Sequence, residues 1–267
     1  MIIDFHTHAF SEKIVEKAMG NLTATSGIMP YTDGTVNGLL EIMNNSGVDK
    51  SVVLPIATKP SQQRIVNSWA KEIMSDKIYA FGSVHPDAED ALEELDRIKE
   101  SGLYGVKLHP DYQQFYVDDK KAFPIYRKCS DIGLTIVFHA GFDPLSPYEI
   151  HGTAKAFACI HEEFPNLTMV LAHLGGMYRW EQTERIIAGT DGNVYLDVSC
   201  IAGEIGQDIL KRIIEKHGTD RILFASDCPW DDPANEIKMI NALDISQEDK
   251  EKIFYKNALR VFKECLK

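Results

Sequence analysis

Eight short apolar runs recur along the chain, each followed by a stretch with helical spacing, and this rhythm limits the fold more than any other feature. The runs are Met1–His8, Ser51–Ile56, Tyr79–His85, Tyr104–His109, Leu134–His139, Leu167–His173, Val194–Ser199 and Arg221–Asp227. They are rich in β-branched and aromatic residues, which predicts strands. Their apolar character is nearly continuous, as expected when both faces of a parallel sheet are covered. Between them, Val36, Leu39, Leu40 and Met43 mark a helix over 35–45 that stops at Gly47. Similar patterns cover 12–19, 65–74, 87–100, 121–131, 153–163, 180–188, 205–217, 234–243 and 246–265. Ser246 with Asp249 opens the last of these as a capping box, with Asp in place of Glu. Eight strand–helix units predict an α/β fold, a (β/α)8 TIM barrel forming a single domain over 1–267. An open doubly wound sheet is the alternative, but no Gly-rich phosphate loop follows the first strand.

Charge and cysteine usage narrow the function. A formal charge of -12 argues against nucleic acid and anionic membrane surfaces as partners. No apolar run is long enough to span a bilayer. Asp4, His6 and His8 stand where a signal peptide would need apolar residues, so no secretory signal is expected. The five cysteines are odd in number and form no C-x-x-C pair, which suits reduced thiols in a cytoplasmic protein. The expected partner is a small-molecule substrate, with a homo-oligomer left open.

The chemistry-bearing residues gather at strand ends. His6 and His8 share a face of the first strand because side chains alternate. The later strands end in His85, in Lys107 and His109, in His139, in His173 and in Asp227. In a barrel these C-terminal ends converge on one mouth. Imidazoles with a carboxylate match the ligand preference of zinc and similar divalent ions. Such an ion lowers the pKa of its water to about 7, and a nearby carboxylate can take the proton.

Asp4-Phe5-His6-Thr7-His8, Phe138-His139-Ala140-Gly141, Ala172-His173-Leu174-Gly175-Gly176 and Phe224-Ala225-Ser226-Asp227, in this order, resemble the amidohydrolase superfamily. The resemblance is to the branch that includes aminocarboxymuconate semialdehyde decarboxylase. Asn257-Ala258-Leu259-Arg260-Val261-Phe262 is similar to that branch's closing helix. The resemblance implies His6, His8, His139 and Asp227 as metal ligands, with Asp227 also moving a proton. It implies for His173 a role in polarising a substrate carbonyl or carboxylate, or in binding a second metal. Two-metal members of the superfamily carry a carboxylated lysine on the fourth strand, so Lys107 with His173 marks a possible second ion.

Lys107 and His109 have the same parity and are expected to face inward. An uncarboxylated, substrate-facing Lys107 and a single ion are the preferred reading. Arg179, on the loop after His173, is expected to join Lys107 and His109 in binding a carboxylate-bearing substrate. Tyr31, Tyr112, Gln113, His151, Tyr178, Trp180 and Trp230 are further loop candidates for specificity, while His161 and His217 are expected at the surface. The resulting expectation is a metal-dependent hydrolase in which a metal-bound hydroxide attacks an ester, lactone or amide. A metal-dependent non-oxidative decarboxylase using the same ligands is the alternative. An inactive barrel-fold binding protein is the third, disfavoured because the ligand set is complete.

Overall fold

The computed structural model describes residues 1–265. Eight parallel strands alternate with helices: β1 (Ile3–Thr7), β2 (Lys50–Val53), β3 (Ile78–Ala80), β4 (Gly105–Leu108), β5 (Thr135–Phe138), β6 (Met169–Leu171), β7 (Val194–Asp197) and β8 (Ile222–Leu223). The helices are α1 (Val15–Ser26), α2 (Val36–Ser46), α3 (Gln63–Glu72), α4 (Ala91–Glu100), α5 (Pro110–Gln113), α6 (Phe123–Ile132), α7 (Ala154–Glu163), α8 (Trp180–Ile186), α9 (Gln207–His217), α10 (Pro233–Ala242), α11 (Gln247–Glu251) and α12 (Asn257–Cys265). The ladders run β1-β2-β3 and β4-β5-β6-β7-β8. Bridges Gly82↔Val106 and Thr7↔Cys228 join them on both sides and close the barrel. The fold is the TIM barrel that the strand–helix rhythm predicts.

Strand alternation sorts the core into two layers. Val53, Ala80, Val106, Ile136, Phe138, Leu171 and Phe224 pack outward against the helices. Ile3, Phe5, Val52, Leu54, Phe81, Val137, Val170, Tyr195 and Leu223 fill the barrel interior. At the end remote from the mouth, α12 plugs this interior: Phe262 stacks on Phe5 with centroids 5.4 Å apart and meets Tyr79 edge-on at 4.9 Å.

Simple alternation fails at one point. Asp4 pairs with Ser51 but Thr7 pairs with Val53, so β1 carries one extra residue between them. This bulge lets Phe5 stay in the interior layer while His6 and His8 also turn inward. Asp4 is left among the outer layer, buried, accepting from Ser226 Oγ at 2.5 Å, and its carboxyl is pushed up to about 7 by burial.

Two expectations need correction. The last helical stretch is not one helix: Lys252–Lys256 forms a π-turn between α11 and α12. Phe224 N there donates to Ile253 O at 2.9 Å, tying the turn to β8. The Ser246 cap does hold, accepting from Asp249 N at 3.1 Å. His217 is not at the surface. It is buried at the end of α9 and its Nε2 meets the Val194 carbonyl at 3.0 Å, because α9 lays its apolar face against the barrel.

Candidate metal centre

His6 and His8 lie at the mouth end of β1, and Asp227 follows β8, its neighbour across the closing seam. Asp227 adopts a left-handed φ of 68°, and its N–H donates to His6 O at 2.8 Å, which aims its side chain at the two imidazoles. His6 Nε2 and His8 Nε2 are 3.2 Å apart. Asp227 Oδ1 is 3.2 Å from the first and 3.1 Å from the second.

The other ring nitrogens decide what this triangle is. His6 Nδ1 faces Asp197 Oδ2 at 3.0 Å, and His8 Nδ1 faces the Leu54 carbonyl at 2.8 Å. Both partners are acceptors, so in each neutral ring the proton belongs on Nδ1 and Nε2 is a bare lone pair. Three lone-pair donors thus meet at contact distance with no proton between them. Two imidazoles and a carboxylate, with a carboxylate and a carbonyl behind the rings, fit a divalent cation by the chemistry of the donor set. Burial, then the nearby Lys107 amine, hold the His6 imidazole well below its ordinary value, which keeps the lone pair available. Burial acts upward on Asp227, but His6 and His8 outweigh it and hold the carboxyl well below the usual range.

Lys107 is wholly buried on β4, with Nζ 3.0 Å from His6 Nε2. Burial brings its amine down to about 8 against the pull of the Asp227 and Asp197 carboxylates. His139 and His173 stand beside the triangle. His173 Nδ1 faces the Ser199 carbonyl at 2.9 Å, and His173 Nε2 faces His139 Nδ1 at 3.1 Å. His139 Nε2 faces the Phe142 carbonyl at 3.2 Å, so by the same proton count this is a second pair of opposed lone pairs. His173 has a φ of 56°, followed by Leu174 at 54°. Non-glycine residues adopt this conformation only when the surroundings enforce it. Here Asp197 Oδ1 accepts from His173 N at 3.1 Å, and Trp180 Nε1 donates to His173 O at 3.1 Å.

A different wall faces inward from β4 and β5. His109 stacks between Tyr112, at 3.8 Å, and His139, at 4.3 Å. Asp143, on the loop after β5, brings Oδ2 to 3.6 Å from His109 Nε2. Burial and the Asp111 and Asp227 carboxylates push Asp143 up to about 7 against its bond from Leu145 N. Asp111 is buried too. Its Oδ1 accepts from Ser146 Oγ and faces His151 Nδ1 at 2.8 Å. Its Oδ2 has no hydrogen-bond partner.

The strand-end residues His6, His8, Lys107, His109, His139, His173 and Asp227 thus meet in one region; all but His109 have a nitrogen or oxygen paired with another member, and His109 stacks on His139. His139 is not among the residues whose ligand atoms lie within 4.8 Å of both His6 and His8. Arg179 is elsewhere. It is exposed, and its guanidinium donates to the Tyr178 carbonyl at 3.2 Å, because α8 starts by turning outward around buried Trp180. Gln113 is structural, donating to the Ala57 and Val84 carbonyls. His85 caps a turn by accepting from Asp87 N at 3.2 Å. Sequence reasoning missed Asp197, Ser199, Asp111 and Asp143. Asp197 was the detectable one, a carboxylate inside the apolar run Val-Tyr-Leu-Asp-Val-Ser.

No helix among the described residues is long and apolar enough to cross a membrane. No curated protein matches the chain in sequence. Solved structures resemble it along nearly its whole length. A TIM-barrel protein of uncharacterised function from Bordetella bronchiseptica has a TM-score of 0.77 at 20% identity, covering 100% of this chain and 99% of that one. A 2,6-dihydroxybenzoate decarboxylase from Rhizobium gives 0.72 at 19%, covering 98% of each chain. A 5-carboxyvanillate decarboxylase from Novosphingobium aromaticivorans, complexed with manganese and 4-hydroxy-3-methoxy-5-nitrobenzoic acid, gives 0.75 at 19%, covering 98% of this chain and 96% of that one. The amidohydrolase family model matches residues 3–263, and with that span the chain belongs to the amidohydrolase family.

Proposed function

We propose that the protein is a metal-dependent, non-oxidative decarboxylase of a small carboxylic acid. The observation that carries metal dependence is the triangle of His6 Nε2, His8 Nε2 and Asp227 Oδ1, three lone-pair donors at 3.1–3.2 Å. Decarboxylation is preferred to hydrolysis because two of the similar structures are decarboxylases of hydroxylated benzoic acids. The hydrolase expected from sequence is the second reading, favoured only by the same donor set, which serves both reactions.

His6, His8 and Asp227 would hold the cation, with His173 and, paired to it, His139 as the further imidazoles beside them. Bound there, a divalent ion supplies a Lewis acid that offsets the negative charge of the substrate and of the breaking bond. Imidazole and carboxylate ligands suit zinc and manganese alike, and the similar 5-carboxyvanillate decarboxylase holds manganese. Lys107, the cation buried nearest the triangle, attracts the substrate carboxylate. His173, its backbone fixed by Asp197 and Trp180, offers its Nε2 lone pair beside the triangle. The carbon–carbon bond breaks with its electron pair left on the substrate carbon, carbon dioxide leaves, and one proton is delivered to that carbon. Asp227 relays that proton from water to the carbon through the carboxylate oxygen not committed to the cation, its Oδ1 facing the His6 and His8 rings.

The test is a panel assayed with zinc-loaded and manganese-loaded protein. It contains hydroxylated benzoic acids, unsaturated carboxylic acids, lactones, esters and amides. Release of carbon dioxide from an acid is the expected outcome. Turnover confined to lactones, esters or amides overturns it in favour of hydrolysis.

A further inference from the structure

We infer that His109 and Asp143 form a subsite for a neutral hydroxyl group of the ligand, on the wall of β4 and β5. The identity of the ligand that carries the hydroxyl rests on the decarboxylase reading; the recognition chemistry does not.

The backbone sets the proton on His109. His109 is the N-cap of α5, and its Nδ1 accepts from Tyr112 N at 3.4 Å. The single N–H of the neutral ring therefore sits on Nε2. The ring is clamped between Tyr112 and His139, so the direction of that N–H is fixed. Asp143 Oδ2 stands 3.6 Å from that nitrogen, beyond hydrogen-bond range. Asp143 Oδ1 is already engaged by Leu145 N at 2.7 Å, which leaves Oδ2 as the free acceptor.

A hydroxyl oxygen set to one side of the line between these two atoms, about 2.8 Å from each, can use both groups at once. It accepts from His109 Nε2 while its hydrogen goes to Asp143 Oδ2. A carboxylate has no proton to give to Asp143 Oδ2. A cation is disfavoured although ligand atoms of His109, His139 and Asp143 lie within 4.8 Å of one another. The nitrogen that His109 turns to that position carries its proton, and His139 Nε2 is turned to the Phe142 carbonyl. The loop bearing Asp143 is held in place beforehand: Asp111 binds Ser146 and His151, and Val117 N donates to His151 O at 3.1 Å. Asp143 and His109 are each 5% exposed, so the pair is desolvated, where a matched hydrogen bond discriminates most strongly. This subsite reverses the sequence expectation that His109 joins Arg179 in holding a carboxylate.

The experiment is calorimetric titration of the metal-loaded full chain with benzoate, 3- and 4-hydroxybenzoate, and the matching methoxybenzoates. One hydroxybenzoate should bind at least about tenfold tighter than its methyl ether and than benzoate. In Asp143→Ala that ratio should fall to near one with metal content unchanged. Asp143→Asn, which keeps an acceptor oxygen, should retain most of it. If Asp143→Ala fails to fold, His109→Asn keeps an N-cap and loses the reach to Asp143, and should abolish the preference in the same way. Equal affinities for matched pairs in the wild-type protein overturn the inference. So does an Asp143→Ala chain that weakens both ligands alike, or one that loses metal. Because binding is read without turnover, a surviving hydroxyl preference in a protein that decarboxylates nothing would sink the decarboxylase reading and leave the subsite standing.

Discussion

Where β1 meets β8, His6 Nε2, His8 Nε2 and Asp227 Oδ1 close to 3.1–3.2 Å; on the wall of β4 and β5, His109 Nε2 and Asp143 Oδ2 stay 3.6 Å apart. The residue types are the same. The groups behind them differ. At the seam, Asp197 and the Leu54 carbonyl draw the imidazole protons outward, so lone pairs converge inward. At His109, a backbone N–H occupies the outer nitrogen, so a proton points inward. An imidazole becomes a metal ligand or a hydrogen-bond donor according to what its far nitrogen touches.

The largest break in this comparison should come from Asp227→Asn, which keeps the size of the side chain and loses the proton acceptor. Turnover on a true substrate should fall by about 10²–10⁴-fold while circular dichroism stays native, with metal content measured alongside. Near-normal activity would remove Asp227 from proton transfer. Next comes Asp197→Asn, which weakens the group behind His6. Metal affinity, read by competition with a chromophoric chelator, should drop by about 10–100-fold. Asp111→Asn on the other wall should leave that affinity unchanged. Equal losses from both variants would erase the distinction between the walls. Lys107→Ala should raise KM about tenfold or lower the rate, with metal retained. Loss of half the metal instead would point to a two-ion centre bridged by a carboxylated Lys107.

The smallest effect on catalysis is expected away from both walls. Glu236 is buried in α10, and burial with the Asp231 carboxylate pushes it up to about 10. The folded chain holds a proton there at pH 7 that the unfolded chain releases above about 4.5. Stability is thus lost as pH rises from about 4.5 toward 10. Glu236→Gln keeps the acceptor that Ala202 N uses at 3.1 Å. It should gain on the order of 1–3 kcal/mol at pH 7 and nothing near pH 4, as read by urea unfolding at both values. An equal gain at both pH values would exclude the titration.

Strand number, strand order and the inward histidines were legible in sequence because period-two alternation and apolar runs leave a local signature. The bulge in β1 was not, since the extra residue shows only in the pairing of Asp4 with Ser51 and Thr7 with Val53. The break at Lys252–Lys256 was hidden inside a pattern that reads as one amphipathic helix. Arg179 was misplaced because nearness along the chain to His173 says nothing about direction, and α8 turns it outward. Asp143 and Asp111 sit in loops without periodicity, where a lone aspartate looks like any turn residue.

The seam between β1 and β8 is where residues near one end of the chain meet residues more than two hundred positions later. Its backbone bonds are Phe5 N to Phe224 O, Asp227 N to His6 O and His8 N to Cys228 O. Contacts of such sequence separation carry a large chain-closure entropy and are slow to form in folding. Two imidazoles on one margin and a carboxylate on the other make the proposed cation a clasp across that closure. Amide exchange at Phe5, His8 and Asp227 therefore serves as a gauge of ion occupancy, independent of any substrate.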